Sequence, residues 1–181
     1  MFEFIMEDMI DAIQYIPAGA AAGLFVCVIL CFRASVKNRH CRRGSERRWK
    51  PPYVAVFLMT VYLVVLSWLV FFNREVGSRD GVTLELFGTI GKGIRGNSFV
   101  TENIMLFVPF GILAPLVWPV FRRGWLCVPF GAVCSVAIEG IQYLTKRGYC
   151  QLDDVVMNTI GMLIGWIIYR IFRCFSFHCR I

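Results

Sequence analysis

Tyr53 to Phe72 is a run of twenty residues without a charge. At about 1.5 Å per residue, a helix of that length crosses the roughly 30 Å hydrocarbon core of a bilayer. Lipid offers no hydrogen bonds, so every backbone N–H and C=O must find its partner within the protein. A lone apolar run therefore has one available form, the transmembrane helix. Tyr53, Trp68, Phe71 and Phe72 stand near its ends, where aromatic side chains anchor at the interface. The pattern recurs at Ile16–Phe32, Asn103–Val120, Trp125–Leu144 and from Asp153 to about Phe175. Five spans predict an all-α, polytopic membrane bundle. Composition agrees: 57% of the 181 residues are hydrophobic and 17% charged, too apolar for a water-soluble domain.

The charges that remain predict an orientation. The loop Arg33–Pro52 holds eight Lys or Arg, Arg122–Arg123 two more, and Arg170, Arg173 and Arg180 a further three, thirteen in all. The opposite flanks hold six: four between Asn73 and Val100, then Lys146 and Arg147. Cytoplasmic flanks collect Lys and Arg, so the N-terminus is expected outside and the C-terminus inside. The formal net charge of +7 is explained this way, and nucleic acid is not expected as a partner; membrane lipids are. Residues 1–15 contain Glu3, Glu7, Asp8 and Asp11 and no Lys or Arg, unlike the basic start of a secretory signal. Ile5, Met9, Ile10 and Ile13 recur there at helical spacing, which predicts an amphipathic lead-in.

Eight cysteines do not make a disulfide framework. Cys27, Cys31, Cys127 and Cys134 lie in apolar runs, Cys41, Cys174 and Cys179 on the expected cytoplasmic side, and Cys150 outside. No metal-ligand spacing occurs, and no cofactor is expected.

The polar residues inside the spans are few and clustered. Asn103 opens the third span, Glu139 and Gln142 lie near the end of the fourth, and Asp153, Asp154 and Asn158 open the fifth. A carboxylate at the centre of a membrane helix costs about 2.5–3.5 kcal/mol, so Glu139 needs a partner or a proton. Glu139 and Gln142 are three apart and Asp154 and Asn158 four apart, so each pair shares a helix face. Short links make spans three to five expected antiparallel neighbours, with all these residues at the outer level. One shared, outward-opening polar site follows as an expectation, with Asp154 facing inward and Asp153 facing water. An inter-helix hydrogen-bond cluster that only holds the bundle together is the other reading. Pro109 and Pro115 should kink the third span.

Three segments carry a resemblance: Asn103 to Gly111 (with Phe107-Val108-Pro109-Phe110-Gly111), Ile138-Glu139-Gly140-Ile141-Gln142, and Leu152 to Gly161 (with Asp153, Asp154 and Asn158). In order and approximate spacing they resemble the signature blocks of the VanZ-like membrane proteins, over about Tyr53 to Arg170. Thr83 and Leu86 stand where the family has Asn and Pro in a motif that follows an arginine, here Arg79. Arg79 is either an anion contact or a solvated loop charge. The chain then divides into an extra N-terminal helix with its basic cytoplasmic loop, 1–52, and a VanZ-like membrane domain, 53–175.

The resemblance implies a role at the bacterial cell envelope, in low-level resistance to lipoglycopeptides such as teicoplanin. An outer polar site would meet an envelope lipid or the antibiotic itself. Two other functions fit the residues less well. An enzyme acting on a lipid-linked substrate would use Glu139 and Asp154 as acid and base, but no nucleophile stands out. A transporter would be favoured by charges in the inner halves of the spans to continue a path and by an internal duplication, and neither is visible.

Overall fold

The computed structural model describes residues 10, 12–40, 50–72, 77, 81–83, 93–148 and 150–178. Five helices dominate them: α1 (Ile16–His40), α2 (Tyr53–Ser67), α3 (Gly93–Val117), α4 (Gly124–Leu144) and α5 (Leu152–His178). Each of the five is long and apolar enough to cross a membrane, over Ile16–Asn38, Tyr53–Phe72, Ser98–Val117, Gly124–Leu144 and Leu152–Phe175. A π-helical turn, Trp68–Phe72, ends α2, and a 3-10 turn, Pro119–Arg122, joins α3 to α4.

Several boundaries differ from the sequence expectation. α1 continues past Phe32 to His40, because Arg33 and Lys37 are good helix formers whose long stems reach the interface. α3 begins at Gly93, ten residues before Asn103. Its glycines read as loop, but each costs a helix only about 1 kcal/mol, and burial of Ser98 fixes this turn in the bundle. α3 also runs as a single helix through Pro109 and Pro115. Pro109 leaves the carbonyl of Met105 without its helix donor; one residue on, Tyr62 of α2 donates its hydroxyl to the carbonyl of Leu106 at 2.9 Å.

Packing order departs from chain order. The most extensive contact is between α3 and α5, α4 packs mainly on α5, and α3 touches α4 little. The expected antiparallel contact of α3 with α4 is therefore secondary to a parallel pair, α3 and α5, with α4 packed mainly on α5. Glycines explain the pairing. A Cβ at Gly161 would lie 2.2 Å from the carbonyl oxygen of Ile104, and one at Gly165 2.1 Å from that of Val108. From the other side, a Cβ at Gly111 would lie 2.3 Å from the carbonyl oxygen of Met162. Only hydrogen fits, so the two backbones touch directly, as small residues permit in lipid. Around this seam Met59, Phe107, Phe110, Leu113, Ala114, Cys127 and Met162 form the buried core. α1 joins through α2: Gly19 sits on Val61, Gly23 on Phe57, and Tyr15 stacks on Trp68 with ring centroids 3.9 Å apart.

A two-residue parallel pairing closes one end of the bundle. Val82 of β1 (Val82–Thr83) lies beside Cys150 of β2 (Cys150–Gln151), and Thr83 beside Gln151. Gly77 donates its N–H to the carbonyl of Lys146, and Cys150 to that of Gly81. Gly77 and the segment Gly81–Thr83 are thus held against the link between α4 and α5, close to the first turn of α5.

Candidate functional site

At this end the start of α3, the end of α4 and the start of α5 meet. Asn103 donates from Nδ2 to Oδ1 of Asp154 at 2.6 Å, tying α3 to α5 across a chain separation of 51 residues. Glu139, only 3% exposed, accepts the backbone N–H of Gln151 at its Oε2, 3.0 Å away. The carboxylate therefore anchors β2 just ahead of α5, by a charge-assisted bond to a backbone donor. The Cys150 thiol lies within electrostatic reach of both carboxylates. Its pKa is raised first by burial, then by the negative charge of Glu139 and of Asp154. One helical turn further in, Asn158 donates from Nδ2 to the hydroxyl oxygen of Ser135 at 2.8 Å. Both are buried, and Asn158 Oδ1 has no hydrogen-bond partner. Ser135 and Glu139 on α4 face Asn158 and Asp154 on α5 with the same four-residue spacing. The result is a polar seam between α4 and α5, with Asn103 at its edge.

Gln142 belongs to another contact. It is buried, but its Nε2 donates to the carbonyl of Val70 at 3.1 Å. Arg147 donates to the next carbonyl, Phe71, and its guanidinium lies 5.8 Å from the centroid of the Phe72 ring. The final carbonyls of a helix lack donors and carry partial negative charge. Gln142 and Arg147 satisfy two of them, so the end of α4 caps the end of α2. Asp153 also departs from expectation: it does not face water but is 3% exposed. It opens α5 two residues after Gln151, whose N–H is held by Glu139, so it starts inside the packed end of the bundle and not in a free turn. Arg79 and the segment Leu84–Phe87 lie outside the described residues.

Sequence reasoning missed Ser135 and Arg147. Ser135 was legible, since it stands four residues before Glu139 on the same face. Arg147 was not, because its role depends on α2 ending in a π-turn beside it. Among the described residues no group of three or more His, Cys, Asp or Glu is arranged to hold a metal ion.

Five apolar helices and a polar seam at one end of their packing define a multi-pass α-helical membrane protein. More narrowly, the chain belongs to the VanZ/LLP1 family, whose model matches residues 59–173. It is similar to protein VanZ of Enterococcus faecium, with 28% identity over 121 residues, covering 62% of this chain and 71% of that one. No solved structure matches it.

Proposed function

We propose that the protein acts in the bacterial cell membrane, N-terminus out and C-terminus in, and lowers susceptibility to teicoplanin-type lipoglycopeptides by binding. The polar seam would then open outward and hold the headgroup of an envelope lipid, or polar groups of the antibiotic. Similarity to protein VanZ supports the envelope role, and the excess of Lys and Arg on the other flanks supports the orientation. The observation that carries the binding reading is the buried Oδ1 of Asn158, an acceptor without a donor, in the seam that holds Glu139 and Asp154. A buried polar group left unpaired costs about 1–3 kcal/mol, which a ligand hydroxyl or amine would recover. An apolar groove of about 520 Å³ between α1, α2 and α3, lined by Ile16, Val61, Val65 and Leu113 among others, suits an acyl tail.

Binding is favoured over catalysis. Cys150 lies within electrostatic reach of the carboxylates, and its raised pKa favours the thiol over the reactive thiolate. The test is the inhibitory concentration of teicoplanin in a susceptible Gram-positive host that overexpresses the protein. It should rise with the wild type and return to the baseline with Asn158→Leu at equal membrane abundance. An unchanged value with the wild type would refute the resistance role. A rise that survives Asn158→Leu would detach it from the seam. Turnover of a labelled lipid-linked substrate by the purified protein, lost in Glu139→Gln, would establish the enzyme reading instead.

A further inference from the structure

The opposite end of the bundle has its own constellation, centred on Trp166 of α5. The Arg170 guanidinium lies over the indole, 5.5 Å from its centroid. The edge of the same ring abuts the start of α4: a Cβ at Gly124 would meet Trp166 ring carbons at 2.8–3.0 Å. This contact brings the exposed Arg122–Arg123 turn to the same indole. The indole Nε1, meanwhile, is buried without a hydrogen-bond partner. Arg173, one turn beyond Arg170, donates to the hydroxyl of Tyr169 at 2.9 Å and is held to its own helix. Exposed Trp118 and Trp125 flank the turn.

The charged side chains here are all cations. Between Gly111 and Gly148 the one acid is Glu139, fifteen residues along α4 from Gly124, roughly 22 Å at 1.5 Å per residue. Between Val155 and Phe175 there is none. The start of α4 adds the partial positive charge of a helix N-terminus to the same spot. Topology alone requires arginines on this flank. It does not require one stacked on an indole that also abuts the start of α4, with the indole N–H left over.

We propose that this end of the bundle binds the phosphate of an anionic phospholipid, gripped by Arg123 and Arg170 with Trp166 Nε1 beneath. Arginine suits such a site because its planar fork donates to two phosphate oxygens while its face stays on the ring. Trp118 and Trp125, exposed beside it, suit the glycerol level of a bilayer, where indoles partition. The site lies at the other end of α5 from the polar seam and does not depend on what the seam binds.

Native mass spectrometry of the full chain, released from micelles doped with phosphatidylglycerol or phosphatidylcholine, tests the assignment. The wild type should retain phosphatidylglycerol at least tenfold more tightly than phosphatidylcholine. Arg123→Gln with Arg170→Gln should abolish the preference, whereas Arg33→Gln with Lys50→Gln, exposed cations elsewhere on the basic flanks, should leave it. Trp166→Phe keeps the ring and removes the N–H, so it should weaken retention about threefold even where the double variant fails to fold. Equal retention of both lipids would overturn the proposal. So would an equal loss in the Arg33/Lys50 variant, which would reduce the effect to general surface charge. Binding of inorganic phosphate as tight as that of the lipid would overturn the lipid assignment.

Discussion

Replacing Gly165 by alanine adds one methyl group where α5 rests on α3. The new Cβ would stand 2.1 Å from the carbonyl oxygen of Val108 and near the Cα of Gly111, at 2.9 Å. A carbon–oxygen contact settles at about 3.3 Å or more, so the helices must separate by roughly 1.2 Å. Neither partner is a side chain that can rotate away. Overpacking of this kind costs about 1–3 kcal/mol, and alanine returns about 1 kcal/mol of helix propensity. Gly140→Ala isolates the second effect, because a Cβ there meets nothing within 4 Å. The propensity gain cancels between the two variants. Gly165→Ala should therefore be less stable than Gly140→Ala by about 2 kcal/mol. Reversible unfolding in mixed detergent micelles, with dodecyl sulfate as denaturant, gives the difference. Two variants of equal stability would refute the backbone contact, and with it the account of why α3 and α5 pair.

Ser135→Ala leaves the Asn158 amide buried without its acceptor and should cost about 1–3 kcal/mol, whereas Ser135→Ala with Asn158→Leu removes both partners and should recover most of it in the same unfolding assay. Cys150 should react with a maleimide more slowly than a solvent-exposed thiol at pH 8, because its raised pKa leaves less thiolate. Glu139→Gln removes one of the charges that raise that pKa and should speed the reaction, but only partly, since burial is the larger cause. In intact cells, an impermeant maleimide that modifies Cys41 and spares Cys150 would invert the proposed orientation.

The five spans were legible because lipid allows a run such as Tyr53–Phe72 so few alternatives. The residues of the seam stood out for the related reason that Glu139 and Asn158 are costly inside such runs. Their partners were harder to read. A three-residue spacing put Glu139 and Gln142 on one face, yet Gln142 turns to Val70 of α2 while Glu139 takes the N–H of Gln151. Helical spacing specifies a face; it does not specify which neighbour lies opposite. Nor did short links reveal that α5 would lie against α3. That contact is written in Gly111, Gly161 and Gly165: the four-residue spacing of Gly161 and Gly165 marks a packing face, but the helix it meets appears only when the two are brought together. Arg147 was missed and Asp153 misread for a similar reason, since each depends on which segments of the chain lie beside it.

The wedging of α5 against both α3 and α4 has a consequence for biosynthesis. A chain emerging from the ribosome delivers α3 and α4 to the bilayer first, and these two have little to say to each other. Until α5 follows, the small residues along α3 face lipid tails, Asn103 lacks Asp154, and Ser135 lacks Asn158. Assembly of the polar end thus waits for the last helix to arrive. A nascent chain stalled before Leu152 would leave the Asn103 carboxamide and the Ser135 hydroxyl in the membrane without these partners.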